Sequence, residues 1–155
     1  MAHLKIYKQS KLRPYESRKG YGFQTAAHEL AERMCERKAA QEKRGLPQLF
    51  LEDRFWKDFY QAQTYIATKL ISEFGKDAVF GAMKRTDLNW AFSLMTPKIR
   101  AAIVEENRRL RSKESVVIEE VEKKIEQIEK REKAGIVAPS NISSRRSSGL
   151  SRLDD

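Results

Sequence analysis

Phe55-Trp56-Lys57-Asp58-Phe59-Tyr60-Gln61-Ala62-Gln63-Thr64-Tyr65-Ile66-Ala67-Thr68-Lys69-Leu70-Ile71 is the stretch on which the fold turns. Phe55, Phe59, Ala62, Ile66 and Leu70 step by 4, 3, 4 and 4 residues, the spacing of one helical face. Trp56, Tyr60, Ala67 and Ile71 lie beside them, so the apolar face is wide. The spacing predicts the most buried helix of the chain. The acids Glu52 and Asp53 suit its positive end, and Gly75 ends it.

Around this stretch, residues 46–95 hold ten of the fourteen aromatic side chains and carry six Lys/Arg against six Asp/Glu. This electroneutral, aromatic-rich block reads as the core. About 50 residues form only a marginal core alone, so the block should recruit flanking helices or a partner chain.

Upstream, Thr25 can cap a helix that runs to about Arg44. Ala27, Leu30 and Met34 form its apolar face, widened by Ala31 and Cys35. Glu29, Glu32 and Glu36 precede Arg33, Arg37 and Lys38 and read as helix-surface pairs. Gly45-Leu46-Pro47 stops the helix. Downstream, short helices are expected over about 77–85 and 88–95. Thr96-Pro97 then starts a long helix reaching about Lys133. Ile99, Ala102 and Ile103 open it. Polar residues follow, and apolar spacing returns at Ile118, Val121, Ile125 and Ile128. That seam is a short heptad pattern.

The fold class is therefore all-α, a small bundle of about four to five helices over residues 25–105. An extended basic arm (1–24) precedes it, a charged helix (106–133) follows, and a disordered Ser/Arg-rich tail (134–155) ends the chain. The tail has too few large apolar side chains to offset ordering entropy. It contains Arg145-Arg146-Ser147-Ser148, which resembles a basophilic-kinase motif with Ser148 as acceptor.

The formal charge is +9, and the first 24 residues carry six Lys/Arg against one Glu. More than half of the surplus sits there. Lys5, Lys8, Lys11, Arg13, Arg18 and Lys19 are interleaved with Tyr7, Tyr15, Tyr21 and Phe23. Cations neutralise phosphates, and aromatics stack on bases. Lys5, Tyr7, Lys8, Lys11, Arg13, Tyr15, Arg18 and Lys19 are the candidate nucleic-acid-binding residues, for DNA or RNA. Ile118, Val121, Ile125 and Ile128 are the candidate partner-binding residues, for a foreign helix or a second copy. Arg108, Arg109, Arg111 and Lys113, with Arg100 upstream, read as a solvated charged face rather than a second phosphate site.

Other functions find little support. No Gly-rich phosphate loop, His-Glu-x-x-His, Cys-x-x-Cys or nucleophile elbow is present, so no enzyme is expected. One cysteine and two histidines argue against a zinc site or internal disulfide, and no cofactor is expected. No apolar run approaches the roughly 18 residues of a membrane span. Met1-Ala2-His3-Leu4-Lys5 lacks the apolar run of a secretory signal. Helix 88–95 reads Leu-Asn-Trp-Ala-Phe-Ser-Leu-Met. That is too apolar for a recognition helix, which must show polar groups to base edges.

Ala78-Val79-Phe80-Gly81-Ala82-Met83-Lys84-Arg85, followed by Asp87-Leu88-Asn89-Trp90-Ala91-Phe92-Ser93-Leu94, resembles a pattern in small uncharacterised helical proteins of tailed bacteriophages. The resemblance covers under a fifth of the chain and transfers no site residue. It implies a host cytoplasm during infection, or a virion. Two functions remain open at this point. One is a non-enzymatic, largely sequence-nonspecific nucleic-acid binder acting through the arm. The other is a structural or assembly protein acting through helix contacts, with Trp56 or Trp90 as spare aromatics.

Overall fold

The buried sides of four helices meet in two adjoining apolar clusters, and a computed structural model describes how over residues 6–135. Lys5 and the tail from residue 136 on, including the Arg145–Ser148 motif, lie outside the described residues. The helices are α1 (Ala26–Gln41), α2 (Arg54–Phe74), α3 (Lys76–Met83) and α4 (Pro97–Lys133). A two-stranded antiparallel sheet, β1 (Tyr15–Glu16) and β2 (Phe23–Gln24), precedes them. The chain divides after Lys113 into two units.

Local chemistry sets the helix boundaries. The Thr25 hydroxyl accepts from the His28 amide at the start of α1, and the Asp53 carboxylate from the Trp56 amide at the start of α2. Each satisfies an amide that has no partner inside its helix. Gly75, at φ +87°, separates α2 from α3. Only glycine takes that conformation readily.

The larger cluster joins Leu30 and Met34 of α1, Ala67 and Leu70 of α2, Val79 and Met83 of α3, and Ile99 and Ile103 of α4. Leu88, Ala91 and Leu94 close it from the loop before α4. The smaller cluster packs Cys35, Ala39, Leu46, Phe50 and Trp56. The core is thus largely aliphatic and drawn from all four helices, rather than being the aromatic block alone. Phe55, Tyr65 and Trp90 are each at least half exposed, whereas Trp56 is only 4% exposed. Trp56 is therefore a core residue and not a spare aromatic.

The helix expected over 88–95 does not form. A short 3-10 turn, Thr86–Leu88, leads into irregular backbone. The cause is side-chain capture of that backbone. The Arg37 guanidinium donates to the carbonyls of Met83 (3.0 Å), Leu88 (3.1 Å) and Ala91 (3.3 Å). Gln63 accepts from the Leu94 amide at 2.9 Å and donates to Ser93 Oγ. Groups a helix would satisfy internally are satisfied from α1 and α2 instead.

The extended arm also needs correction. Residues 15–24 form the hairpin and pack on the helices. The Tyr15 ring stacks on Phe80 with centroids 5.3 Å apart, and Tyr21 meets Phe50 edge-on. The segment at Tyr7 runs beside Gly22, with the Phe23 amide donating to the Tyr7 carbonyl.

Candidate functional site

The hairpin is held by a cluster of carboxylates on α1. Glu29, Glu32 and Glu36 are spaced by three and four residues, so they share one helix face. Glu32 is fully buried and Glu29 nearly so. Ser17 Oγ, the Arg18 amide and Gln24 Nε2 donate to Glu32 at 2.7, 2.8 and 3.0 Å. The Arg18 guanidinium reaches Glu29 and Glu36, each at 3.2 Å, and Arg33 donates to Glu29 at 2.8 Å. Burial raises the Glu36 carboxyl above its ordinary range, with Arg18 opposing that shift. Buried carboxylates persist only when paired and hydrogen-bonded. This cluster meets both conditions, so the hairpin is part of the fold.

That arrangement sorts the candidate nucleic-acid-binding residues. Arg18 is engaged by the carboxylates. Lys19 donates through Nζ to the Leu46 carbonyl at 2.8 Å. Tyr15 is stacked on Phe80. Lys8 and Lys11 are exposed, and the Arg13 guanidinium lies 3.4 Å over the Tyr7 ring. Arg18 stays 47% exposed although it is paired, and Tyr7, Lys8 and Lys11, with the partly buried Arg13, make up the rest of the basic segment. On α4, Arg100 pairs with Glu73 and Arg109 with Glu106.

The candidate partner-binding residues belong to the second unit. There the described part of α4 is exposed throughout. Ile118, Val121, Ile125 and Ile128 are 57, 49, 50 and 55% exposed. Their spacing places them in one row along the helix. Val116 and Val117 extend the exposed apolar surface at its start. Glu126 and Lys130 pair at 2.8 Å on the opposite face.

An open cleft of about 1170 Å³ lies beside the first half of α2. His28, Tyr60, Thr64 and Tyr65 line it, together with the balanced charges of Glu52, Arg54, Lys57 and Asp58. Burial, aided by the charge of Arg13, lowers the His28 pKa, so the ring is neutral near pH 7. His28 Nδ1 lies 2.6 Å from Thr25 Oγ1. Burial raises the Tyr60 phenol. The cleft thus presents neutral hydrogen-bonding groups with no dominant charge. Among the described residues, no three His, Cys, Asp or Glu side chains are placed to hold a metal ion. Nor is any described helix long and apolar enough to cross a membrane.

The residues the sequence reading missed are Glu29, Glu32, Arg37 and Gln63, polar groups that organise backbone from inside. The 29/32/36 spacing was a usable signal, since three acids on one face invite a basic partner. Nothing local marks Arg37 or Gln63, because their partners lie 30 or more residues away. No protein-family model matches the chain, and no curated protein or solved structure matches it.

Proposed function

We propose that this is a non-enzymatic assembly protein acting through helix-mediated contact at the 118–128 seam. The observation that carries this reading is the row of four β-branched side chains, each about half exposed along α4. Apolar rows flanked by charge are how helices select helices. The docked hairpin supports the same ordering of functions, since it leaves fewer cations for an outside partner.

The test is recovery of the tagged full chain from its own cell at moderate salt, beside Ile125→Asp. A bound protein lost with the variant supports the reading. Identical bound sets from a chain that also shows no Ile125-dependent self-association sink it.

A second reading, contact with DNA or RNA, is favoured by one observation: the exposed Lys8 and Lys11 beside the Tyr7–Arg13 pair. Deleting the whole segment would remove core contacts, so the informative variant is Lys8→Glu with Lys11→Glu. Binding that weakens with salt and is lost in this variant supports nucleic-acid contact. The location that the phage resemblance implies is a host cytoplasm or a virion.

A further inference from the structure

We infer that the partner of the 118–128 seam is a second copy of the same chain, aligned parallel and in register. The inference rests on the assembly reading above and adds the identity and direction of the partner.

The charges flanking the seam carry it. With Ile118 and Ile125 at the a positions, Val121 and Ile128 fall at d. The edges of the seam are then Glu122 and Glu129 at e, and Val117, Lys124 and Arg131 at g. These two edges lie on opposite sides of the apolar row. Among the described residues, neither Lys124 nor Glu129 has an ion-pair partner within the chain.

In a parallel, in-register pair, each g residue faces the e residue five positions on in the other copy. Lys124 of each copy then meets Glu129 of the other, giving two attractive contacts. In an antiparallel pair that overlays the seam, g faces g and e faces e. Lys124 then meets Lys124, and Glu122 meets Glu122. Like charges at such sites oppose association. The sequence is therefore complementary to itself in one direction and repulsive in the other. Identical a and d layers also stack identical β-branched side chains only in the parallel arrangement.

The experiment is sedimentation equilibrium of the full chain over a wide concentration range. It is run beside Lys124→Glu, Lys124→Glu with Glu129→Lys, and Lys123→Glu. The last makes the same charge change on the outward face, and circular dichroism checks that each variant keeps its helix. The wild type should associate. Lys124→Glu should raise the dissociation constant about tenfold, by turning two attractions into two repulsions. The double variant should restore it, and Lys123→Glu should leave it unchanged. A wild type that stays monomeric overturns the inference. So does association that Lys124→Glu leaves untouched, or that the double variant fails to restore. A monomer that still captures a foreign protein through Ile125 removes self-pairing alone and leaves the assembly reading standing. A monomer whose captures ignore Ile125 removes both.

Discussion

Ser17 donates its hydroxyl at 2.7 Å to the fully buried carboxylate of Glu32. The contact ties the N-terminal hairpin to the first helix and turns a basic segment into part of the fold. Two more donors, the Arg18 amide and Gln24 Nε2, converge on the same carboxylate. Glu32→Ala would leave the Ser17 hydroxyl and the Arg18 amide unsatisfied and Gln24 Nε2 with Glu29 as its remaining partner. The expected cost is about 3 kcal/mol, read by urea unfolding. Trypsin should then cleave after Arg18 or Lys19 in the native protein. A variant within about 1 kcal/mol of wild type, with the hairpin still protected, would contradict this account.

Gly22 tests the other side of the hairpin. It sits at φ +75°, and a Cβ there would lie 2.8 Å from both the Tyr7 carbonyl oxygen and Ile6 Cγ2. Backbone cannot yield as a flexible side chain can. Gly22→Ala should therefore cost about 1–3 kcal/mol. It should also break the Phe23 amide to Tyr7 carbonyl bond. Hydrogen exchange at the Phe23 amide reads the break directly, and unchanged protection would count against it.

The helices with long apolar periods were legible in the sequence. The Thr25 cap of α1, the start of α2 after Asp53, the Gly75 stop and the Pro97 start fall where residue chemistry put them. The end of α1 differs: the helix stops at Gln41 rather than near Arg44, and Lys43 at φ +54°, not Gly45, takes the left-handed conformation. The hairpin was not legible, because strands of two residues have no period to read. Its stability comes from Glu29 and Glu32, whose spacing from nearby basic residues looks like ordinary surface pairing. α2 is not the most buried helix, since four of its residues are buried against eight of α1, and its orientation was only partly legible. Its apolar arc is wider than the face it buries, so Phe55 and Ala62 stay exposed while Gln63 turns inward. Phe55 instead lies near the Lys38 ammonium, which sits 4.6 Å from the Phe92 ring. The seam residues were legible as a pattern, and their exposure matches an apolar row that no described residue covers.

Arg37 accounts for the missing helix over 88–95, and its removal should show that. Arg37→Met keeps the stem and deletes the three carbonyl contacts. The loop from Met83 to Ala91 would lose its organising donor, at an expected cost of about 2 kcal/mol. Trp90 lies in this loop and is half exposed, whereas Trp56 is buried. Acrylamide quenching in a Trp56→Phe background isolates Trp90, and its accessibility should rise in the Arg37 variant. Unchanged quenching and stability would show that the loop holds itself.

Cys35 is fully buried, and burial pushes its thiol up to about 12, reinforced by Glu32 and Glu36. The thiolate is the reactive form. The native protein should therefore resist an aromatic disulfide reagent at pH 8 and react fully once unfolded. Rapid native labelling would place the thiol at the surface. Cys35→Ser should be less stable than Cys35→Ala, since its hydroxyl would enter the apolar cluster of Phe50 and Trp56.

His28 and Glu36 pull the pH dependence of stability in opposite directions. The His28 pKa is lowered from 6.5, first by burial and then by the charge of Arg13. The unfolded chain therefore binds the proton more readily than the folded one. His28 contributes fully above pH 6.5, and that contribution is lost as pH falls through the lowered folded value. The Glu36 pKa is raised from 4.5, chiefly by burial. Here the folded state binds the proton more readily. Its contribution is fully present below pH 4.5 and is lost as pH rises through the raised folded value. Glu36→Gln should thus melt higher than wild type at pH 7, with the gap closing towards pH 4.5. His28→Gln should abolish the part of the decline that begins below pH 6.5. With two histidines in the chain, the imidazole proton resonances give a direct check. The His28 resonance should titrate with a midpoint below 6.5, and Arg13→Ala should move that midpoint upward. A midpoint at or above 6.5 would show the ring to be solvated or ion-paired.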